Sequence, residues 1–233
     1  MICFHSQLCA LWLGCVGWIL TCVALGLVQW RVWLVYDSKV ISSGVAWVGV
    51  WRACFNSHTL VSPGLMVRHC ESISLSDSST PPEIVAAQIL MLLSLLAGLV
   101  GNGGGFYTLR NVYFGLEKNI TRCCLITGAL FLSASGMSLV PLAWNLNSVM
   151  ANQTITFPPG FKMPRAPDSQ HVGCGISVGM VGMLLMVLSG FMFCRFGLCL
   201  PVKLPVRSQC DMSVEKDNPV FNSNELCYET NEH

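Results

Sequence analysis

Charged residues are scarce in this chain of 233 residues, because Asp, Glu, Lys and Arg together make up only 11%. Soluble domains carry about 25%, so the chain has less than half of the usual water-facing charge. Its 13 basic and 12 acidic residues nearly cancel, leaving a formal net charge of +1. This composition argues against a disordered protein, a nucleic-acid binder driven by basic charge, and most cytosolic enzymes. Hydrophobic residues reach 53%, so we expect much of the surface to face lipid.

Four long apolar runs contain no Asp, Glu, Lys or Arg, and they cover approximately residues 8–28, 84–107, 123–144 and 173–193. Each is close to the ~20 residues that a helix needs to cross ~30 Å of hydrocarbon. Backbone polar groups must be paired inside lipid, which requires helices at this length. The first run has no cationic segment before it, so we expect a retained helix rather than a cleaved signal peptide. The sequence predicts four transmembrane helices.

Basic residues cluster on one side of the predicted bundle. They lie between the second and third helices and just after the fourth: Arg110, Lys118, Arg122, Arg195, Lys203 and Arg207. Short cytoplasmic loops carry such an excess, so both termini are expected to be cytoplasmic. Residues 29–83 and 145–172 then form two extracellular loops, residues 1–195 the membrane domain, and residues 196–233 a cytoplasmic tail.

Cysteine is abundant, but of the 13 cysteines only Cys54 and Cys70 fall within the predicted extracellular loops. The others lie in or beside membrane helices, or on the cytoplasmic side where thiols stay reduced. Two cysteines in the oxidising compartment predict one disulfide, worth roughly 3 kcal/mol by the chain-entropy estimate. Four others lie at the cytoplasmic boundary and are candidates for S-palmitoylation, with inert thiols as the alternative: Cys123, Cys124, Cys194 and Cys199.

No metal, cofactor or catalytic site is expected. His58, His69 and Cys70 lie close in sequence but lack the paired spacing of a tetrahedral metal site. Ionisable residues inside the bilayer would indicate a proton-coupled or catalytic function, and the four predicted helices contain none. We therefore expect a protein that is not an enzyme and that needs no cofactor.

The first loop has the pattern of β-strands. Residues 30–37 are rich in aromatic and β-branched side chains, and residues 45–53 place Val45, Trp47, Gly49 and Trp51 on one face of a second run. Strands joined directly to transmembrane helices predict a small folded cap that the disulfide staples.

The ordered motif in this loop resembles that of the claudin family. It consists of Trp30, then Gly49-Val50-Trp51, then Cys54 and Cys70. The family pattern is W…GLW…C…C, so Val50 stands where a leucine is usual. The resemblance covers residues 1–195 and includes Pro141 near the outer end of the third helix, where a proline bends the axis.

The resemblance implies a left-handed bundle of four transmembrane helices under an extracellular antiparallel β-sheet. It also implies a function in cell–cell contact at tight junctions of the plasma membrane. There, chains would assemble with themselves and with other claudins, within one membrane and across the gap, to form a paracellular barrier or an ion-selective path. In such a path, the charges of the cap decide which ions pass.

Several positions depart from the family pattern or add to it. The fifteen residues between Cys54 and Cys70 exceed the usual spacing, and Gln88 stands where claudins typically have an arginine. Arg68 is the one charge between the two cysteines. It would mildly disfavour cations if it lined a path, and a solvated loop charge is the alternative. The terminal His233 lacks the apolar side chain that PDZ pockets accept, which argues against scaffold binding by that route.

Two segments match the N-glycosylation pattern. Asn152-Gln153-Thr154 falls in the second extracellular loop and is a candidate acceptor, whereas Asn119-Ile120-Thr121 is expected to face the cytosol and stay unmodified.

Two other functions remain open from the sequence. Auxiliary subunits of ion channels or receptors, such as calcium-channel gamma subunits, resemble claudins in topology and first-loop motif. A relative of the myelin and epithelial membrane proteins is a further alternative, although those are usually shorter and have shorter tails.

Overall fold

Long helices dominate the computed structural model, which describes residues 2–35, 44–57, 67–75, 80–114, 120–155 and 167–199. The helices are α1 (Ile2–Gly26), α2 (Pro82–Tyr113), α3 (Ile120–Met150) and α4 (Cys174–Cys199). All four are long and apolar enough to cross a membrane, which confirms the predicted number of spans. α2 and α3 extend beyond both ends of their apolar runs, whereas α1 begins before its run but already ends at Gly26, and α4 begins at Cys174 and extends beyond the end of its run.

Glycines allow close approach of the helices. A Cβ atom on Gly17 of α1 would lie 2.7 Å from the carbonyl oxygen of Gly182 in α4, and one on Gly128 of α3 would lie 2.8 Å from that of Gly190. Backbones this close gain dispersion contacts that larger side chains would prevent. As a result α4 packs against both α1 and α3, while α2 packs mainly against α3.

The interior of the bundle is apolar with a few polar links. Phe131 and Phe193 stack with their ring centroids 6.0 Å apart at the centre of one cluster. Ser94 Oγ donates to the carbonyl of Ala134 at 2.7 Å, which joins α2 to α3. Hydroxyl donors of this kind stabilise contacts between helices where water is absent.

A five-stranded antiparallel sheet covers one end of the bundle. Its strands are β1 (Arg31–Leu34), β2 (Val45–Val48), β3 (Arg52–Ser57), β4 (Val67–Ser72) and β5 (Ser169–Val172), in the spatial order β4-β3-β2-β1-β5. We call the sheet and its connecting turns the cap. One face buries an apolar cluster that includes Trp33, Val48 and Phe55. The predicted antiparallel sheet is therefore present, and it is open rather than closed.

Two details of the sheet differ from the sequence-based expectation. Residues 45–53 do not form one strand, because the chain turns between β2 and β3 and the Gly49 N–H donates to the carbonyl of Arg52 at 2.9 Å. The sheet also takes a strand from the second loop, since β5 pairs with β1 in the register Val32 to His171. The first loop alone does not make the sheet.

Candidate functional site

The chain leaving α1 places Trp30 at the centre of the junction between the cap and the helices. Its side chain is only 2% exposed, and its Nε1 donates to the carbonyl of Ala24 at 2.7 Å. Its backbone N–H donates to Val48 and its carbonyl accepts from Gly173. A Cβ on Gly175 would lie 2.5 Å from the indole ring, so the ring fits only against a glycine. Trp30 thus connects α1, β2 and the start of α4.

The turn Gly49-Val50-Trp51 rests on the end of α1. A Cβ on Gly49 would lie 2.7 Å from the Cα of Val28, so the backbones are in close contact here. Val50 is buried in the same cluster as Trp30, and Trp51 packs against that cluster. The Trp51 carbonyl also accepts from the N–H of Ile73 at 2.8 Å. The motif residues therefore anchor the cap to the bundle rather than face solvent.

The disulfide lies between neighbouring strands. Cys54 on β3 and Cys70 on β4 are direct cross-strand partners, with their Cα atoms 4.1 Å apart, and they are bonded. This confirms the predicted pair. The bond closes the hairpin formed by β3 and β4, so the longer spacing in sequence is accommodated between the two strands without changing their pairing.

A buried polar network lies where the cap meets α2 and α3. Arg31 Nη2 is 2.9 Å from Glu83 Oε1 and donates to Asn145 Oδ1 at 2.8 Å, while Nη1 donates to Ser148 Oγ at 3.1 Å. Gln170 Nε2 of β5 donates to the carbonyl of Ser148 at 3.4 Å. We call these five residues the junction network. It joins β1, β5, α2 and α3 through side chains.

Electrostatics make this network sensitive to the loss of any member. The Arg31 side chain is 1% exposed and that of Glu83 is 11% exposed. Burial lowers the pKa of Arg31, and the carboxylate of Glu83 opposes that effect by Coulomb attraction and a hydrogen bond. An arginine stays protonated under all ordinary conditions. Its buried charge is therefore compensated by the carboxylate of Glu83 beside it.

Sequence reasoning missed this ion pair for a specific reason. Glu83 lies one residue before the apolar run that begins at residue 84, and Arg31 lies three residues after the run that ends at residue 28. By sequence alone, both are charged loop residues that limit the predicted helices. One signal could have predicted the burial of Arg31. Arg31, Trp33 and Val35 are at alternate positions of the chain, and all three are buried.

Comparison with known proteins agrees with this architecture. A sequence model of the family described as PMP-22/EMP/MP20/Claudin tight junction matches residues 15–195. The chain belongs to this family. Claudin-3 of Canis lupus familiaris is 29% identical over 187 residues, which cover 78% of each chain. Claudin-4 of Homo sapiens is 24% identical over 197 residues, which cover 81% of this chain and 84% of the relative. Claudin-2 of Bos taurus is 25% identical over 194 residues, which cover 81% of this chain and 76% of the relative.

Membership in the claudin family identifies the chain as a multi-pass membrane protein of the tight-junction class. It points to a structural protein of the junction rather than an enzyme. The motif residues of this claudin-family chain then anchor its cap to the helices, and the junction network is a second link between cap and helices.

Gln88, the position at which claudins typically have an arginine, is buried beneath the cap. Its Nε2 donates to the carbonyl of Val50 at 2.9 Å and to that of Ile73 at 3.2 Å. One acceptor belongs to the turn between β2 and β3, and the other follows β4. The amide thus holds both segments against α2 without carrying a charge.

Arg68 lies on the face of the sheet opposite the buried cluster. It is exposed, and its guanidinium carbon is 4.9 Å from the centroid of the Trp47 ring. Arg52 is exposed on the same face, because it precedes Cys54 by two residues in β3 as Arg68 precedes Cys70 in β4. The candidate pore charge is therefore one of two arginines on this face.

Two predicted sites lie in or after α3. Pro141 is inside the helix, as expected, and its carbonyl accepts from Asn145 Nδ2 at 2.9 Å. Asn152 follows the helix in a left-handed conformation with φ of 51°, and it is exposed together with Gln153 and Thr154. The candidate acceptor segment is accessible on the same side of the bundle as the cap.

The cysteines predicted for acylation differ in accessibility. Cys124 is fully buried, which favours a structural thiol at this position. Cys123 and Cys194 are half-buried, and the side chain of Cys199, at the end of α4, lies outside the described side chains. Cys123 and Cys194 therefore remain the accessible candidates for S-palmitoylation.

Several sequence-based expectations fall outside the described residues. These include His58, Asn119 and the segment 200–233 with the terminal His233. Within the residues that the structure does describe, no group of three or more His, Cys, Asp or Glu side chains is placed to hold a metal ion.

Proposed function

We propose that this chain mediates cell–cell contact at tight junctions and forms a paracellular barrier or ion-selective path through assembly within and across membranes. Its partners are itself and other claudins, and the lipid bilayer surrounds the helices. In this proposal the bundle is left-handed, both termini are cytoplasmic, the cap faces the space between cells at the plasma membrane, and residues 196–233 form a cytoplasmic tail.

The observation that supports this proposal most strongly is the attachment of the cap. Trp30 and Val50 belong to the apolar cluster of the bundle, and the disulfide closes the β3–β4 hairpin. A cap held at these points keeps one orientation relative to the helices. Assembly into continuous strands requires identical units with fixed contact surfaces, because repeated head-to-tail contacts propagate only if each unit has the same geometry.

The cap also carries the charge that an ion-selective path would need. Arg52 and Arg68 are exposed on one face of the sheet, and the described strands place no Asp or Glu on that face. If facing caps line a path, these arginines disfavour cations by direct repulsion. Reversal of one charge, as in Arg52→Glu, is then expected to raise the ratio of sodium to chloride permeability in an epithelial monolayer.

Expression in cells that lack junction strands, followed by freeze-fracture electron microscopy of contacts between transfected neighbours, tests the proposal. Continuous strands are expected, together with a changed transepithelial conductance in monolayers. The matched control is Trp51→Ala, which removes an anchor of the cap and is expected to abolish strands. Diffuse protein that stays away from contacts, even with a co-expressed claudin, would instead favour an auxiliary subunit, and co-purification of a channel would identify that role.

A further inference from the structure

A cleft lies between the end of α1 and the outer face of the sheet. Its volume is about 210 Å³, and it is lined by Leu27, Val28, Gln29, Trp47, Cys54 and Arg68. It is separate from the junction network, which is on the opposite face of β1. The contacts that anchor the cap to the helices do not depend on the space inside the cleft.

One wall of the cleft continues directly from a membrane-spanning helix. α1 ends at Gly26, and the N–H of Leu27 still donates to the carbonyl of Val23 at 3.0 Å. Leu27 and Val28 are half-buried and apolar. This wall is therefore at the depth where hydrocarbon gives way to lipid headgroups. Trp47 forms the facing wall, and indole rings favour that interface.

The opposite end of the cleft is cationic. Arg68 stacks over Trp47 with the guanidinium carbon 4.9 Å from the ring centroid, and both side chains line the cleft. Among the described residues no carboxylate is paired with Arg68. Glu71 is the nearest acid along β4, and it lies on the other face of the strand beside His69. Within the described part of the chain, the guanidinium therefore has no carboxylate beside it, and Leu27 and Val28 line the same cleft.

We propose that this cleft binds the phosphate group of a phospholipid from the adjoining leaflet. The guanidinium of Arg68 donates to the phosphate oxygens, a pairing for which its planar donors are suited. The glycerol and upper acyl carbons lie against Leu27 and Val28, and the ring of Trp47 covers them. A soluble anion would use the arginine alone, whereas an amphiphile matches both ends of the cleft.

Native mass spectrometry of the full chain, purified in detergent with its disulfide intact and supplied with phosphatidylcholine, tests this site. Arg68→Ala is expected to lower the fraction of lipid-bound protein about tenfold, as loss of one charge-assisted contact predicts. Arg68→Lys keeps the charge and should lose less. Arg52→Ala is the matched control, because it removes an exposed arginine from the same face outside the cleft, and it should bind lipid as the parent chain does.

Competition identifies the source of the phosphate. Inorganic phosphate at millimolar concentration should leave the bound lipid in place, since it cannot use the apolar wall. Equal lipid binding by the Arg68→Ala and Arg52→Ala variants would overturn the proposal, as would displacement by inorganic phosphate. Lipid binding by a dimer but not by the monomer would also overturn the proposal. It would assign the cleft to a contact with a second copy of the chain. Because Arg68 is exposed, its replacement is not expected to affect folding, and an unchanged tryptophan emission spectrum checks this.

Discussion

Replacement of Glu83 by glutamine tests the role of the junction network most directly. The substitution keeps the size and hydrogen-bonding capacity of the side chain but removes the negative charge beside Arg31. The guanidinium, 1% exposed, then has only neutral acceptors: Asn145 Oδ1, Ser148 Oγ and the amide oxygen introduced at position 83. Breaking a buried ion pair by removing one partner costs about 3–5 kcal/mol, because an uncompensated charge stays in a low dielectric.

The magnitude translates into a measurable shift. For a chain of this size, 1 kcal/mol changes the melting temperature by about 2–4 °C, so Glu83→Gln is expected to lower it by roughly 6–20 °C. Thermal unfolding of the purified chain in one detergent, followed by tryptophan emission, gives the value, since Trp30 and Trp33 are buried at the junction. The double variant Arg31→Met/Glu83→Gln should recover part of the loss, because it removes both charges.

The control is a glutamate contact at the surface. His69 and Glu71 are 3.9 Å apart with both side chains more than 40% exposed. Exposed pairs contribute about 0–1 kcal/mol, so Glu71→Gln should shift the melting temperature by no more than a few degrees. If Glu83→Gln and Glu71→Gln give equal shifts, the buried pair does not stabilise the attachment of the cap and the reasoning is wrong.

Three other predictions follow from the cap. Cys54→Ser is expected to lower stability by roughly 3 kcal/mol and to abolish the mobility shift on reduction that the parent chain shows in electrophoresis, whereas no such shift in the parent would contradict the Cys54–Cys70 bond. Gln88→Leu removes two donors from buried carbonyls and should cost about 1–3 kcal/mol in thermal unfolding, and an unchanged melting temperature would mean that these bonds add nothing. Asn152→Gln should remove the mass shift that glycosidase treatment produces, whereas Asn119→Gln should leave it; the opposite result would invert the proposed orientation.

The four helices could be predicted because their signal is local and large. An apolar run of about twenty residues has few other interpretations, whatever surrounds it. Cys54 and Cys70 could be paired because they were the two thiols left on the oxidising side. Trp30 and Gly49-Val50-Trp51 were recognisable because the motif contains a residue whose replacement is sterically blocked: a Cβ atom added to Gly49 would lie 2.7 Å from the Cα of Val28.

The remaining features depend on contacts between distant segments. β5 contains four residues, Ser169–Val172, which become a strand only because β1 offers it an edge. The turn after Val48 interrupts an apparently continuous alternation, because Gly49 must rest on the end of α1. Arg31 and Glu83 are 52 positions apart in sequence, and nothing about either residue predicts that the two form an ion pair. The spacing of apolar residues along the sequence carries no information about these contacts between distant segments.

The pairing of β1 with β5 has a mechanical consequence. β1 follows α1 almost directly, and β5 is separated from α4 only by Gly173. Their ladder is reinforced at its membrane end, where Gly173 and Gly175 donate to the carbonyls of Trp30 and Gln29. If the cap contacts a neighbouring cell, as proposed, tension at this edge of the sheet divides between α1 and α4, which are pulled in parallel. Separation of the contact then need not begin with unravelling of a single linker.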